Sequence, residues 1–150
     1  MKNRITKLFE SKRKNILSVF FTAGYPKQQD TIAIAEHLQK AGVDMIEIGI
    51  PFSDPIADGP TIQESNKAAL EQGMTVALLL QQVSELRAKI EIPVVLMGYL
   101  NPVMQYGMEK FFREAARVGV DGLILPDLPI EEYELHYKSL CESLNLSISF

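Results

Sequence analysis

Five short apolar runs, each followed by a helix-type pattern, constrain this chain more than any other feature. They begin near residues 16, 43, 93, 120 and 146: Ile16 to Phe21, Val43 to Gly49, Pro93 to Gly98, Val120 to Pro126 and Leu146 to Phe150. Between them lie residues at helical spacing. One helix is expected through Ile32, Ile34, Leu38 and Ala41, with Asp30 or Thr31 as the expected cap and Gly42 as the stop. Thr75 is placed to cap a helix through Leu79, Leu80, Val83 and Leu86. Phe111, Phe112, Ala115 and Val118 form another stripe, stopped by Gly119. Pro129 opens a helix through Tyr133, Tyr137 and Leu140, and Ile5, Leu8 and Phe9 predict a short helix ahead of the first run. The spacing of the runs is nearly constant except at the second interval, which carries the extra segment Ile50 to Gln72. The joints repeat too: Ala41-Gly42-Val43-Asp44 and Val118-Gly119-Val120-Asp121 each end a helix and begin a strand.

Regular alternation of this kind predicts a parallel sheet with helices outside and right-handed crossovers. Two α/β architectures satisfy it, an open doubly wound sheet and a TIM barrel. No Gly-rich phosphate loop follows the first strand, which disfavours a nucleotide-binding doubly wound fold. Polar residues gather after strands two, three and four, where barrel active sites sit. A (β/α)8 barrel takes about 250 residues. The 150 residues here are therefore expected to form the first four to four-and-a-half units, the N-terminal half of a single barrel domain. A net charge of −4 gives no footprint for nucleic acid or a membrane surface. No apolar run approaches the roughly 20 residues of a membrane span. Cys141 is the only cysteine, so no internal disulfide forms, and a cytoplasmic setting is expected.

The segment after the second strand breaks local rules. Glu47 stands near the end of an apolar strand. Two prolines, two glycines and the carboxylates Asp54 and Asp58 follow before a third proline, Pro60, and the helix it opens. Most strand-to-helix loops need only two to six residues, and a long loop carrying acids is usually functional. Alternation puts Glu47 on the face of Val43 and Met45, inward in a barrel, with Ile46 and Ile48 on the other. There a carboxyl group can act as an acid or base, or it can belong to a buried ion pair. Asp58 can face Glu47 across one pocket, or cap the helix at Pro60. Asp54 reads as a turn former. Phe20, Thr22, Tyr99 and Leu100 end strands one and three and either line an apolar pocket or pack the barrel end. Asn101 is expected in a loop with Pro102, and Asp127 either holds its loop or faces the pocket. His37 and His136 lie among polar residues on helices, and no spacing suggests a metal site. Lys12-Arg13-Lys14 reads as a solvated turn.

The stretch Ile46-Glu47-Ile48-Gly49-Ile50-Pro51-Phe52-Ser53-Asp54-Pro55-Ile56-Ala57-Asp58-Gly59-Pro60-Thr61-Ile62-Gln63 closely resembles the signature of the tryptophan synthase α subunit family. Phe20-Phe21-Thr22-Ala23-Gly24-Tyr25-Pro26, Leu96-Met97-Gly98-Tyr99-Leu100-Asn101-Pro102 and Pro126-Asp127-Leu128-Pro129 support it. The resemblance covers all 150 residues but only the N-terminal part of the family's eight-unit barrel.

The resemblance implies a carbon–carbon lyase of tryptophan biosynthesis that cleaves indole-3-glycerol phosphate by retro-aldol chemistry, with no cofactor of its own. By position, Glu47 and Asp58 match the family's catalytic pair. Phe20, Tyr99 and Leu100 match positions around the indole, with Thr22 beside them. The partner is expected to be a β subunit carrying pyridoxal phosphate in an α2β2 heterotetramer, met by Asp54, Asn101, Pro102 and Asp127. The family binds the substrate phosphate with later barrel units. The 150 residues alone are thus expected to be nearly inactive. Two alternatives stand beside the lyase: a half-barrel that only binds and activates a partner, and a different phosphosugar barrel enzyme.

Overall fold

A computed structural model describes residues 3–150. Five parallel strands, β1 (Ser18–Thr22), β2 (Met45–Gly49), β3 (Val94–Met97), β4 (Gly122–Ile124) and β5 (Ser147–Ser149), lie side by side in sequence order. A doubly wound sheet reverses its strand order at a switch point, and this sheet has none, so consecutive units advance in one direction as barrel units do. Every strand begins within two residues of its expected onset.

Register assigns the two faces. Phe20 pairs with Glu47 and Glu47 with Val95, while Phe21 pairs with Ile48 and Ile48 with Leu96. One face, with Ile46, Ile48, Val94, Leu96 and Leu123, is buried under the helices. The other carries Ser18, Phe20, Glu47, Met97 and Ile124 and is less covered. Burying the first face removes several large side chains from water, each contributing about 1.5–3 kcal/mol.

The helices are α1 (Arg4–Ser11), α2 (Asp30–Lys40), α3 (Pro60–Glu71), α4 (Val76–Leu86), α5 (Leu100–Tyr106), α6 (Met108–Val118), α7 (Ile130–Glu132) and α8 (Lys138–Ser143). The α6 stripe packs as its spacing requires, with Phe111, Phe112, Ala115 and Val118 all buried. Thr75 caps α4, its hydroxyl accepting from the Leu78 N–H at 3.1 Å. Gly119 ends α6 in the left-handed region at φ 95°, where a side chain would be strained.

Four local expectations are corrected. Neither Asp30 nor Thr31 caps α2, which starts after Gln29 without a side-chain cap. Asp30 accepts instead from the Lys27 N–H, and the Thr31 hydroxyl from the buried Gly24 N–H at 2.9 Å. Tyr99 leads not into a loop but into α5, so Asn101 and Pro102 lie in a helical first turn, where proline's missing N–H costs nothing. The helix after Pro129 is interrupted by a π turn, Tyr133–Tyr137, between α7 and α8. Tyr133 then meets Phe150 and Tyr137 meets Phe112, at ring centroids 5.1 and 5.4 Å apart. Lys12 is not a free surface charge, since its Nζ lies 2.7 Å from both oxygens of Asp44. The two histidines are exposed, as their settings predict.

The repeated joint has a physical purpose. Asp44 accepts from the Leu17 N–H at 2.8 Å, at the foot of β1, and pairs with Lys12. Asp121 accepts from the Val94 N–H at 2.9 Å, at the foot of β3, and pairs with Arg87 at 2.6 Å and Arg4 at 3.1 Å. Each aspartate thus clasps its own strand to the preceding one at the N-terminal end of the sheet. The second clasp is deeper: Asp121 is 3% exposed. Arg87 also donates to the carbonyls of Gly119 and Ile92, both at 2.7 Å. Burial pulls its guanidinium down to about 10, against the pull of Asp121.

The Lys12 bond, helped by the Leu17 N–H, holds the Asp44 carboxyl below the ordinary carboxylate value. A carboxyl depressed in the folded state contributes stability above its unfolded pKa of about 4 and loses it as pH falls through the lower folded value. Asp44→Asn should therefore reduce stability at pH 6 and leave it nearly unchanged well below pH 3, as urea melts at the two pH values would show. Cys141, fully buried, has its thiol pushed up to about 11 by burial, the setting of an inert structural cysteine.

Candidate active site

A pocket of about 460 Å³ opens at the C-terminal ends of β1 to β4, lined by Phe20, Gly49, Asp58, Asn66, Tyr99 and Asp127 among others. Barrel active sites occupy this end, and the volume is within the range for small-molecule sites. Gly49 makes the room: a Cβ there would lie 2.7 Å from Cζ of Phe20, whose ring covers the glycine. Phe20 is 37% exposed, half open to the pocket.

Glu47 is on the concave face one pleat below Gly49, about 7 Å along the strand, and beside Phe20 in register. It does not line the pocket wall. No ion pair holds it among the described residues. Its Oε1 accepts from the Ser18 hydroxyl at 2.6 Å. The buried-ion-pair alternative is therefore corrected: a neutral hydroxyl is its partner.

Asp58 is half-buried in the pocket wall. The cap of α3 is Gly59, with no side-chain cap bond, so the capping alternative is corrected as well. The Asp58 backbone is engaged on both sides, its N–H donating to the Pro55 carbonyl at 3.0 Å and its carbonyl accepting from the Gln63 side chain at 2.9 Å. Among the described residues its carboxylate accepts no hydrogen bond. A half-buried acid with nothing to bind can accept from a ligand donor.

The other expected residues divide. Phe20 and Tyr99 line the pocket. Thr22 is buried and shares a 2.7 Å hydrogen bond with the Ser65 hydroxyl of α3, so it ties β1 to that helix. Leu100 is in the first turn of α5, and its N–H donates to both oxygens of Asp127 at 2.9 and 3.0 Å. Asp127 thus faces the pocket, as one of its two readings expected, and what its carboxylate holds is the start of α5 rather than its own loop. Asp54 is exposed and accepts from the Ser53 hydroxyl. Asn101 is exposed and Pro102 half-buried.

Sequence reasoning missed Asn66. It lies inside α3, is 6% exposed, and lines the pocket while accepting from the Phe52 N–H at 3.0 Å. The signal was present: Ile62, Ser65, Asn66 and Ala69 share one helical face, and a polar pair on an inward face needs partners. Among the described residues no group of His, Cys, Asp and Glu is placed to hold a metal ion, and no helix is long and apolar enough to cross a membrane.

The sequence matches the family described as tryptophan synthase alpha chain over residues 6–150. The relative of that name from Parabacteroides distasonis is 52% identical over 146 residues, covering 97% of this chain and 57% of the relative. That from Flavobacterium psychrophilum is 51% identical over 148 residues, covering 99% and 58%. The crystal structure of tryptophan synthase subunit alpha from Legionella pneumophila superimposes with a TM-score of 0.92 at 40% identity, over 99% of this chain and 58% of that one. Tryptophan synthase from M. tuberculosis, in an open form, gives 0.91 at 35% identity, over 100% and 61%. The chain spans a little over half the length of these relatives, and its five strands are an arc of their (β/α)8 barrel. With its signature, sheet order and pocket all in agreement, the chain belongs to the tryptophan synthase alpha chain family.

Proposed function

We propose that the protein carrying this chain cleaves indole-3-glycerol phosphate to indole and glyceraldehyde 3-phosphate in tryptophan biosynthesis. The carrying observation is the Asp58 carboxylate, which accepts no hydrogen bond among the described residues, in the wall of an aromatic-lined pocket whose lining residue Phe20 has Glu47 beside it in register. Glu47 delivers a proton to the indole ring carbon that bears the glycerol chain and removes the proton of the adjacent side-chain hydroxyl. The carbon–carbon bond breaks as that oxygen becomes the aldehyde carbonyl. Asp58 accepts a hydrogen bond from the indole N–H and stabilises the positive charge that the protonated ring carries. Phe20 and Tyr99 pack the ring, with Leu100 and Thr22 behind them.

The partner proposed is a β subunit in an α2β2 assembly, which would hold its own pyridoxal phosphate. Exposed groups at the pocket end suit such a contact: Asp54, Asn101 and Ile56, which is 89% exposed. Pro102 and Asp127 would support that surface through α5.

The test is an assay with indole-3-glycerol phosphate. In the full-length protein Asp58→Ala should lower kcat/KM by about 10²–10³-fold, the size of effect seen when one charge-stabilising group is removed. The melting temperature should hardly move, because the carboxylate accepts no hydrogen bond among the described residues. The 150-residue polypeptide should turn over little, since the family binds phosphate with later units. Full activity of Asp58→Ala would overturn the reading.

A further inference from the structure

The loop that carries Asp58 is held to the barrel by side chains rather than by a strand ladder: Gln63 of α3 donates to the Asp58 carbonyl at 2.9 Å, and two further side chains hold the limbs before it. On its first limb, the Phe52 N–H donates to Asn66 Oδ1 at 3.0 Å. Asn66 is itself oriented by donating from Nδ2 to the Ile62 carbonyl at 2.8 Å, so its oxygen is turned toward the loop. On the second limb, the Ala57 N–H donates to the Tyr99 hydroxyl oxygen at 3.0 Å. Ala57 is the residue before Asp58. The Phe52 and Tyr99 rings also meet, with centroids 5.2 Å apart, which joins the two limbs. Between them the crest, Ser53 to Ile56, has only Pro55 buried.

We propose that Tyr99, through its hydroxyl, and Asn66, through its carboxamide, are positioning residues that fix where the Asp58 carboxylate stands. This rests on the role given to Asp58 above. The Gln63 bond holds the Asp58 backbone from the helix side, so the Tyr99 and Asn66 bonds set how the limbs leading to it approach the pocket, and a small displacement of a catalytic group costs rate more than binding. Tyr99 therefore has two separable parts. Its ring packs the pocket, while its oxygen holds the loop.

Tyr99→Phe in the full-length protein separates them, because the ring stays. The first readout is hydrogen exchange of the ligand-free protein. Exchange at the Ala57 amide should rise by about three- to tenfold, the weight of one typical hydrogen bond, with the β2 amides unchanged. Asn66→Ala should do the same at Phe52. The second readout is kinetic: kcat for cleavage should fall by about three- to tenfold with KM nearly constant. Made in an Asp58→Asn background, Tyr99→Phe should cost almost nothing more, as expected for residues acting through one another. Unchanged exchange at Ala57, or an equal loss in both backgrounds, would overturn the positioning role. A loss confined to KM would do so too, marking the hydroxyl as a substrate contact. If Asp58 variants keep full activity, the functional reading fails instead, and Ala57 exchange still decides whether the latch exists.

Discussion

Glu47→Gln should lower cleavage of indole-3-glycerol phosphate by the full-length protein about 10²–10⁴-fold, the range that a positioned acid–base group contributes. The substitution preserves shape and keeps an oxygen to accept from Ser18, which is the one hydrogen bond that the Glu47 side chain makes among the described residues. An amide cannot exchange a proton with the ring carbon or the hydroxyl, so chemistry should fail while binding survives. Thermal melting should stay within a few degrees of the parent, because among the described residues no ion pair is broken. Turnover within a few-fold of the parent would remove Glu47 from the mechanism. Parallel loss of melting temperature would instead assign it to the fold.

The second large effect is on stability. Asp121→Ala should destabilise the folded protein by about 3–5 kcal/mol, the cost of stranding a buried charge. Asp121 is 3% exposed and Arg87, its partner at 2.6 Å, is 10% exposed, so water cannot take over the lost bond. The Val94 N–H loses its acceptor at the same time. Against a usual total of about 5–15 kcal/mol this is a large share, readable as a fall of roughly 1–3 M in the urea midpoint. Adding Arg87→Met should recover part of the loss, since the stranded charge is then gone. An unchanged midpoint in Asp121→Ala would show that the clasp adds nothing to folding.

Much of this was legible in the residues, and the exceptions have a common cause. Strand onsets and the α6 stripe followed from periodicity, because both depend on apolar positions repeating along one face. Glu47 and Asp58 stood out because carboxylates in an apolar strand and an overlong loop contradict local economy. Their alternatives could not be settled there. Whether Asp58 caps α3 depends on where the loop delivers its oxygen, and Gly59 took that place. Asp30 and Thr31 failed as caps because α2 begins at Asp30 itself, and their side chains accept from the Lys27 and Gly24 N–H groups instead. Helix α5 was missed because Asn101-Pro102 reads as a break, although proline is harmless in a first turn. Asn66 was missed because its partner, the Phe52 N–H, is fourteen positions away and is brought near only by the fold. Asp44 and Asp121 were visible as a repeated phrase, but their cations come from remote elements: Lys12 before β1, Arg87 after α4 and Arg4 on α1.

The two aspartate clasps lie at the foot of the sheet, while Asp58, Tyr99 and Asn66 lie at its head. Anchoring and the proposed chemistry are thus housed at opposite poles of the sheet. A scaffold divided this way tolerates rewriting of its upper loops without loosening its foundation. Grafting a foreign segment in place of Pro51 to Gly59 should change what the pocket accepts long before it changes whether the polypeptide folds.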